Sequence, residues 1–370
     1  MNSLPRVIHF VTGGGSGATK VALDLACGHL QHDRFAPLLV LRRKRAPLPP
    51  AMQSRLTASG VRVAWVDEGP KDTTRRQLRE LIADFQPQVF VAHGFSEHLW
   101  GRQAAIAQQV PAVIHVEHNQ ERYLWWRRWA ARSLRAHTSA TVCVSQGVAE
   151  RVRELRLESR RLAVIHNGVD VARFATGAPD FATRSPDIAM LARFARQKDQ
   201  PTLIRAVQRL VATGWTGRLL LGGAGSESHR AACERLVAKL GLTGRVEFLG
   251  LVGDVVPILH RCRAAVLSTR FEGLPLSLVE SMAAGCAAVA SAAPGVTDVI
   301  RPGDNGWLFP IGNDAALAAC LQGVLAGGPA VEAIVARGRA DAPRHFAIER
   351  MVTDYENLFA DLLRTAQSPS

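Results

Sequence analysis

The chain has 370 residues, of which 47% are hydrophobic and 21% are charged, and this composition excludes a disordered chain. The formal net charge is +13, and most of it lies in residues 1–185, where 26 basic and 15 acidic side chains give +11. No apolar stretch reaches the length of a membrane-spanning helix, and the six cysteines form no CxxC pair. The N-terminus lacks the pattern of a signal peptide, so we expect a cytoplasmic protein. The charge of +11 predicts an anionic partner for the first half.

Strand-like and helical stretches alternate along the whole chain. In the first half, the predicted strands cover residues 7–12, 37–41, 61–66, 88–93, 112–117, 140–144 and 162–165, and the predicted helices cover 19–29 and 100–109. In the second half, the predicted strands cover residues 188–191, 218–221, 246–249 and 264–268, and the predicted helices cover 201–212, 228–240 and 275–284. This alternation is typical of an α/β fold in which parallel sheets are covered by helices on both faces.

Two such series of elements predict two doubly wound domains. The boundary is expected between Asn167 and Pro186, because this stretch begins with an Asn-Gly turn signal and continues with further glycine and proline residues. We therefore expect an N-terminal domain over residues 1–175 and a C-terminal domain over residues 186–345.

A glycine-rich loop, TGGGSG at residues 12–17, follows the first predicted strand and opens the first predicted helix. Glycines let the backbone approach a phosphate closely, and a helix N-terminus presents free N–H groups to an anion. The loop therefore predicts a phosphate site, with a plain strand–helix turn as the alternative. It also resembles the cofactor loop of short-chain dehydrogenases, TGxxxGxG. However, Thr19 occupies the last glycine position, and neither Tyr123 nor Tyr355 is followed by a lysine four residues later. A nicotinamide-dependent oxidoreductase stays an alternative.

A second candidate phosphate site is the segment FEGLPLSLVE at residues 271–280, which follows an apolar strand. Pro275 is expected near the first position of the next helix, where its missing N–H costs least. The backbone amides of this turn should point at the crevice beyond the carboxyl end of the strand. They belong to Gly273, Leu274 and Leu276.

Glu272 and Glu280 place two carboxylates eight residues apart, where they could bracket one ligand with a diphosphate between them. An ordinary turn with two surface glutamates is the alternative. The spacing matches the E-x7-E motif of glycosyltransferase family 4, and the chain resembles this family over nearly its whole length. The other matching segments are residues 144–149, 165–170, 191–200 with an R-x4-K pattern, 281–286 and 346–363.

The resemblance implies a retaining nucleotide-sugar transferase of the GT-B fold, in which two Rossmann-like domains face each other across a cleft. It implies that the donor binds mainly to the second domain and the acceptor to the first, and that a C-terminal helix of residues 346–370 packs back on the first domain. Family members are thought to use front-face attack, in which the departing phosphate takes the acceptor proton. No DxD motif occurs in the sequence, so we expect neither an essential metal nor a cofactor.

Several site residues in the second domain follow from the resemblance. Arg193 and Lys198 would hold the donor diphosphate, because guanidinium and ammonium groups neutralise the charge on a leaving phosphate. Glu280 would accept hydrogen bonds from the nucleotide ribose. Glu272 would contact the hydroxyls of the transferred sugar.

The resemblance also assigns groups in the first domain. The start of the first helix occupies the place where the family often has G-G-x-E-[RK], so Gly15 and Gly17 are candidates for donor binding. His118, after a predicted strand, looks like the family's active-site histidine and would contact the transferred sugar or the donor phosphate. His93 is a second candidate at an equivalent strand end, whereas His115 lies within a strand and is expected to be packed.

The function implied is transfer of a hexose or N-acetylhexosamine from a nucleotide sugar to a glycan or lipid-linked acceptor, in envelope polysaccharide synthesis. A nucleotide-sugar-binding protein without transfer activity is the alternative. Donor hydrolysis or transfer would distinguish the two.

The densest basic and aromatic segment spans residues 122–135. At helical spacing, Trp125 and Trp129 share one face, and three arginines share another: Arg128, Arg132 and Arg135. Tryptophan beside arginine suits an anionic membrane surface, here the inner face of the cytoplasmic membrane, or a lipid-phosphate acceptor. A helix packed by its tryptophans with a solvated basic face is the alternative. No helix-turn-helix, zinc or RNA-binding motif supports nucleic acid as the anionic partner.

Overall fold

The computed structural model describes residues 4–44, 48–67, 71–94 and 97–367. The chain forms two compact units: Met1–Gly168 with Ile348–Ser370, and Val169–Ala347. Each unit contains one parallel β-sheet, and helices join nearly all of its successive strands. This architecture confirms the predicted fold class of two doubly wound α/β domains.

The first unit contains a seven-stranded sheet. Its elements are β1 (Arg6–Thr12), α1 (Gly17–His32), β2 (Ala36–Arg42), α2 (Pro50–Ala58), β3 (Arg62–Val66), α3 (Lys71–Phe85), β4 (Val89–His93), α4 (Glu97–Ala107), β5 (Ala112–Glu117), α5 (Trp125–Ser133), β6 (Ala140–Cys143), α6 (Gln146–Glu154) and β7 (Arg161–Val164). The strand order is β3-β2-β1-β4-β5-β6-β7, and neighbouring strands are parallel. The order reverses between β1 and β4, and this reversal opens a crevice beyond the carboxyl ends of the two strands.

The central strands of this sheet are apolar over their whole length because both of their faces are covered. In β1, residues 7–11 are buried without interruption, and β4 and β5 are buried throughout. These strands nevertheless carry polar groups, including His9, His93 and Glu117. Such groups need partners inside the unit, and these partners lie at the carboxyl edge of the sheet described below.

The second unit contains a six-stranded sheet. Its elements are α7 (Val171–Ala175), β8 (Ser185–Leu191), α8 (Gln200–Ala212), β9 (Leu219–Gly222), α9 (Glu227–Lys239), β10 (Val246–Gly250), α10 (Val256–Arg261), β11 (Cys262–Leu267), α11 (Leu276–Ala283), β12 (Ala287–Ser291), β13 (Trp307–Phe309), α12 (Asp314–Ala326) and α13 (Pro329–Phe346). The strand order β10-β9-β8-β11-β12-β13 reverses between β8 and β11. The second crevice is therefore expected beyond the carboxyl ends of these two strands.

Two strands of the second sheet, β12 and β13, were not predicted from the sequence. β12 reads AAVAS and is buried throughout, but its small side chains show no period-2 pattern and little β-branched enrichment. β13 has only three residues. Another small difference concerns Pro275, which precedes α11 as its N-cap, so this helix begins one residue later than predicted.

In the described part of the chain, no single helix is long and apolar enough to cross a membrane, whereas α12 and α13, bent by 99°, pass this test as a pair. The bend follows from the two glycines between them. Gly327 and Gly328 have φ angles of +75° and +99°, a region that glycine enters easily and that ends α12.

The C-terminal helix α14 (Ile348–Gln367) belongs to the first unit and packs on α1. The two helices come so close that a Cβ atom on Gly28 would lie 2.3 Å from Cγ2 of Val352. Beside this contact, Glu356 accepts a hydrogen bond from Nδ1 of His29 at 2.9 Å. Gly28 is therefore required for the close approach of the two helices.

The Gly28→Ala substitution is expected to destabilise the protein by about 1–2 kcal/mol. The overlap with the stiff side chain of Val352 outweighs the gain of roughly 1 kcal/mol in helix propensity. The matched control is Gly323→Ala in α12, where the new Cβ would have no atom within 4 Å, so a small gain in stability is expected. Urea unfolding of both variants measures the difference. Equal stability of the two variants would contradict the proposed packing constraint.

Candidate active site

The carboxyl edge of the second sheet brings together one basic and one acidic residue from two predicted motifs. Lys198 ends a short 3-10 turn after β8, and Glu272 lies in the loop after β11. Nζ of Lys198 lies 2.6 Å from Oε1 of Glu272, and the two side chains are only 14% and 8% exposed. The structure thus joins the lysine of R-x4-K to the first glutamate of E-x7-E, although 74 positions separate them.

Hydrogen bonds between the two loops hold this ion pair in place. Ser268 donates to the carbonyl of Asp199 at 3.1 Å, and Thr269 donates to the carbonyl of Gln197 at 3.1 Å. In return, the side-chain amide of Gln197 donates to the carbonyl of Phe271 at 2.6 Å. The loop after β8 is therefore connected to the loop after β11 on both sides of the Lys198–Glu272 pair.

The turn before α11 presents fewer free amides than predicted. The amide of Leu276 donates to the carbonyl of Leu274 at 3.0 Å, so it is engaged inside the turn rather than facing the crevice. Among the described residues, the amides of Gly273 and Leu274 have no acceptor. These two amides are the donors that the turn can offer to an anion.

Gly295, which the sequence analysis did not select, shapes this turn. It has a φ of +80°, and a Cβ on it would lie 2.4 Å from the carbonyl oxygen of Glu272 and 2.6 Å from that of Gly273. The amide of Glu272 also donates to the carbonyl of Pro294 at 3.0 Å. The loop after β12 therefore supports the site, and only glycine fits there. In the sequence, the Pro-Gly pair at residues 294–295 was the signal that could have indicated this turn.

The remaining predicted residues of the second unit lie at its surface. Arg193 is exposed just after β8, and its carbonyl accepts a hydrogen bond from the side chain of Gln200 at 2.9 Å. Glu280 is partly exposed in the middle of α11, two turns at most from the loop that carries Glu272. Both side chains are accessible to a ligand.

A second glycine-rich loop, at residues 222–226, was also missed. Gly223 and Gly225 have φ angles of +144° and +150°, and Cβ atoms on them would lie 2.3 Å from the carbonyl oxygen of Ala192 and 2.4 Å from that of Phe194. The loop opens α9 and lines a cavity of about 180 Å³. The signal was the sequence GGAGS between a predicted strand and a predicted helix.

In the first unit, the glycine-rich loop after β1 is held at both ends. The amide of Gly13 donates to the carbonyl of Arg42 at 2.7 Å, and the side chain of Ser16 caps α1. A Cβ on Gly15 would lie 2.5 Å from Pro49, so this predicted donor-binding glycine has a packing role. A Cβ on Gly17 would have no atom within 4 Å, so its backbone lies open to a ligand.

Three histidines form a hydrogen-bonded row at the same edge. Nε2 of His118 lies 3.0 Å from Nδ1 of His93, and Nε2 of His93 lies 3.0 Å from Nδ1 of His9. His9 and His93 are fully buried, whereas His118 is partly exposed. Desolvation lowers the pKa of His118 to about 4, so the ring is neutral at neutral pH. His115, expected to be packed, is buried and stacks on His98 with ring centroids 4.1 Å apart.

A second buried polar network holds the loop that follows β5. Tyr123 donates a 2.6 Å hydrogen bond to Glu117, at the end of the strand, and lies 3.0 Å from Nε2 of His98. Nδ1 of His98 is in turn 3.0 Å from the guanidinium of the wholly buried Arg102. Desolvation raises the pKa of Glu117 to about 8 and lowers that of Arg102 to about 10. This network ties the loop that begins with His118 to the interior.

Helix α5 exposes its tryptophans more than its arginines, which are only partly exposed. Trp125 and Trp129 are 82% and 72% exposed, so the alternative in which they pack inside is wrong. Arg128 and Arg132 donate to the carbonyl of Leu155, the C-cap of α6, at 3.0–3.2 Å. Arg135 donates to the next carbonyl at 3.1 Å. The arginines therefore stabilise the C-terminus of α6, where the helix dipole favours cations.

A larger cavity of the first unit, about 400 Å³, lies beside the glycine-rich loop. Its polar and aromatic lining includes Arg43, Lys44, Gln53 and Trp65. The guanidinium of Arg43 lies over the ring of Trp65 at 5.3 Å and 3.3 Å from the carboxylate of Asp67. An aromatic ring beside two cations can bind a sugar that carries an acidic group. Within the described ranges, no group of three or more His, Cys, Asp or Glu residues could hold a metal ion.

The raised pKa of Glu117 makes stability depend on pH. The folded protein keeps a proton up to about pH 8 that the unfolded chain loses near the ordinary carboxyl pKa. This group therefore lowers stability as pH rises towards about 8 and changes it little above that value. Glu117→Gln is expected to reduce the fall in Tm between about pH 6 and pH 8, measured by thermal unfolding. Glu154→Gln, at an exposed glutamate on α6, is the control. Equal slopes for Glu117→Gln and wild type would contradict this account.

Comparison with known proteins identifies the family of the chain. Two family models match the chain: Glycosyltransferase Family 4 over residues 10–173 and Glycosyl transferases group 1 over residues 185–326. The chain is 30% identical over 227 residues to the lipopolysaccharide core biosynthesis glycosyltransferase LpsE of Rhizobium meliloti, spanning 60% of this chain and 65% of LpsE. It is 28% identical over 328 residues to the lipopolysaccharide core biosynthesis mannosyltransferase LpcC of Rhizobium leguminosarum, spanning 82% of this chain and 89% of LpcC.

The fold is also similar to a solved structure. Anabaena Alr3699/HepE, in complex with UDP, superposes with a TM-score of 0.85 over 97% of this chain and 100% of that chain, at 18% sequence identity. The same protein has been solved with UDP-glucose. The family models cover both units, confirm the resemblance and leave the oxidoreductase alternative without support. The chain belongs to glycosyltransferase family 4 and is a glycosyltransferase with the GT-B fold.

Proposed function

We propose that the chain transfers a hexose or N-acetylhexosamine, with retention, from a nucleotide-sugar donor to a glycan or lipid-linked acceptor. The observation that carries this proposal is the Lys198–Glu272 pair at the carboxyl edge of the second sheet. The relatives support the donor and acceptor classes. HepE was solved with UDP and with UDP-glucose, and LpsE and LpcC are enzymes of lipopolysaccharide core biosynthesis. We therefore propose a role in envelope polysaccharide synthesis.

The donor diphosphate is proposed to bind at the turn before α11. The ammonium of Lys198 and the exposed guanidinium of Arg193 supply positive charge. The unengaged amides of Gly273 and Leu274 supply two hydrogen bonds at the N-terminus of a helix, where partial positive charge collects. A donor phosphate could take the place of the Glu272 carboxylate beside Lys198, so the lysine would keep an anionic partner.

The nucleoside is proposed to extend along the same edge of the sheet. Glu280 would accept hydrogen bonds from the ribose hydroxyls, and its partly exposed position on α11 allows this contact. The base would enter the cavity lined by Phe194 and Leu251 and by the glycine loop of residues 222–226. Gly223 and Gly225 let this loop lie directly against the backbone after β8, and this close approach keeps the cavity open beside Arg193.

The proposed reaction breaks the bond between the anomeric carbon and the donor phosphate oxygen. A bond from that carbon to the acceptor oxygen forms on the same face, and the acceptor proton passes to the departing phosphate oxygen. Lys198 and the amides of Gly273 and Leu274 would stabilise the charge that develops on the phosphate. Glu272 is bound to Lys198, which suits contact with sugar hydroxyls better than covalent attack. No step uses a metal, so transfer is expected to persist in excess EDTA.

The acceptor is proposed to bind to the first unit, in the cavity beside the glycine-rich loop. Trp65 offers a ring on which a sugar can stack, and Arg43 and Lys44 offer positive charge to an acidic or phosphorylated sugar. The charge of +11 on residues 1–185 favours such an anionic acceptor.

Removing the Glu280 carboxylate, the proposed hydrogen-bond acceptor for the ribose hydroxyls, tests the donor site. Glu280→Ala is expected to lower kcat/KM for transfer by about 10–100-fold, because hydrogen bonds to a charged group contribute about 1.5–3 kcal/mol. The donor is first chosen from a nucleotide-sugar panel by thermal shift, and product formation is then measured by chromatography. Formation of a glycosylated acceptor also rules out a protein that only binds nucleotide sugars.

The control for this prediction is Glu332→Ala, at an exposed glutamate in the first turn of α13. Its thermal shift and its activity are expected to match those of wild type. Near-normal transfer by a folded Glu280→Ala variant would contradict the proposed donor site. If no nucleotide sugar shifts the Tm of the wild-type protein, the donor class itself is wrong.

We further propose that α5 docks on the inner face of the cytoplasmic membrane. Trp125, Trp129 and the 60% exposed Leu124 form an apolar stripe, and tryptophan is favoured at the membrane interface. The arginines of α5 hold the helix to α6 from the opposite side. This arrangement would bring a lipid-linked acceptor to the first unit.

The double variant Trp125→Ser/Trp129→Ser is expected to bind vesicles that contain anionic lipid at least about tenfold more weakly than wild type. The reason is that the apolar area of both exposed rings is lost. Vesicle co-sedimentation measures the change. Leu251→Ser, at a 76% exposed leucine of the second unit, is the control and should bind like wild type. Unchanged binding of the double variant, or equal weak binding to neutral and anionic vesicles, would exclude this docking surface.

A further inference from the structure

The row of three histidines in the first unit is unusual because two of its members are deep in the sheet. His9 lies in β1 and His93 ends β4, and both side chains are fully buried. They connect in series to the partly exposed His118, with N···N distances of 3.0 Å at each step. Each contact joins Nε2 of one ring to Nδ1 of the next, so the three rings share one direction.

The three rings cannot choose their tautomers independently. Burial lowers the pKa of all three, and the neighbouring His29 and His115 lower those of His9 and His93 further, so each ring carries a single proton. A contact between two neutral imidazoles is a hydrogen bond only when one nitrogen donates and the other accepts. Both contacts are therefore satisfied in two states only: every proton lies on Nδ1, or every proton lies on Nε2.

The buried end of the row distinguishes these two states. Among the described residues, no group lies within hydrogen-bonding distance of Nε2 of His9. The ring of His9 is covered by His29, stacked at 5.3 Å with an interplanar angle of 22°, and by Phe359 at 6.4 Å. A proton on this nitrogen would create an orphaned buried N–H group, which folded proteins almost always avoid.

The C-terminal helix keeps that end closed. His29 donates from Nδ1 to Glu356 at 2.9 Å, and the same carboxylate accepts from His32 at 3.1 Å and from Arg34 at 3.2 Å. The bond to Glu356 fixes His29 in the orientation that stacks on His9. The proton arrangement of the row is therefore determined from the interior outwards, with the three protons on the Nδ1 atoms.

We infer that His9 and His93 are positioning residues that hold His118 as its Nδ1–H tautomer, so that His118 presents a hydrogen-bond donor at the carboxyl edge of the sheet. The ligand group it would bind is an oxygen acceptor, such as a sugar hydroxyl or a phosphate oxygen. This inference rests on the proposed function for the identity of the ligand but not for the tautomer. It gives His118 the role of a neutral donor and excludes a role as general base.

The tautomer is measured directly by long-range 1H–15N correlation NMR on the full chain labelled with 15N-histidine, with His118 assigned from a His118→Gln variant. Wild-type protein is expected to carry the His118 proton on Nδ1, without any ligand added. In His9→Asp, whose carboxylate puts an acceptor where Nδ1 of His9 donates to His93, the row is expected to reverse and to move the His118 proton to Nε2. A wild-type His118 protonated on Nε2, or an unchanged His118 in a folded His9→Asp variant, overturns the inference.

Two further variants separate positioning from packing. His9→Leu removes the donor to His93 but offers no acceptor, so a proton on Nε2 of His93 would be orphaned and the wild-type tautomer of His118 should persist. Glu356→Gln keeps an oxygen acceptor for Nδ1 of His29 and should also leave the His118 tautomer unchanged. If His9→Asp does not fold, the wild-type and His9→Leu spectra decide: Nδ1–H in both supports the inference, and Nε2–H in either overturns it.

Activity provides a second readout. His9→Asp is expected to lower kcat/KM for transfer about tenfold or more, because a lone pair of His118 would replace the donor that faces the substrate oxygen. His9→Leu should keep more of this activity than His9→Asp. If no nucleotide sugar is a substrate while the NMR result is as expected, the proposed function fails and the positioning role stands.

Discussion

Both units depend on one constraint of the parallel sheet: all strands end at the same edge, and the loops beyond them diverge where the strand order reverses. The reversals fall between β1 and β4 and between β8 and β11. The residues that resemble the family's site residues follow these strands or their neighbours, from the glycine-rich loop of the first unit to Lys198 and Glu272 of the second. Segments far apart in the sequence therefore supply one site in each unit without any special loop length.

Polar groups are buried at the carboxyl edges of both sheets, but the two units compensate for the lost hydration in different ways. In the first unit, burial keeps the histidines neutral and raises the pKa of Glu117, so hydrogen bonds between neutral groups determine geometry. In the second unit, Lys198 and Glu272 form an ion pair at 2.6 Å. A neutral row provides directional donors, whereas an ion pair provides charge that an incoming phosphate can share. This contrast suits a first unit that orients a sugar and a second unit that binds a diphosphate.

The sequence predicted what is local and left out what depends on contacts between distant segments. The bounds of β5 agree fully with prediction, and the two sheets follow from the alternation of strands and helices. The pattern of E-x7-E pointed to Glu272, but nothing local shows that Gly295 supports it through a backbone contact. His9 reads as one polar residue in an apolar strand, and its role depends on His93, 84 positions away. The family resemblance located His118 and could not indicate which nitrogen carries its proton.

The excess positive charge shows the same limit of sequence patterns. The arginines of α5 suggested a basic surface, yet Arg128 and Arg132 bind the carbonyl of Leu155 at the end of α6. Their charge stabilises a helix terminus, and the same contacts turn Trp125 and Trp129 outwards. A basic residue therefore contributes to a surface only where its partners leave it exposed, and counting charges overestimates the basic face of α5. The exposed cations beside the glycine-rich loop, Arg43 and Lys44, are therefore a better guide to the proposed anionic acceptor than those of α5.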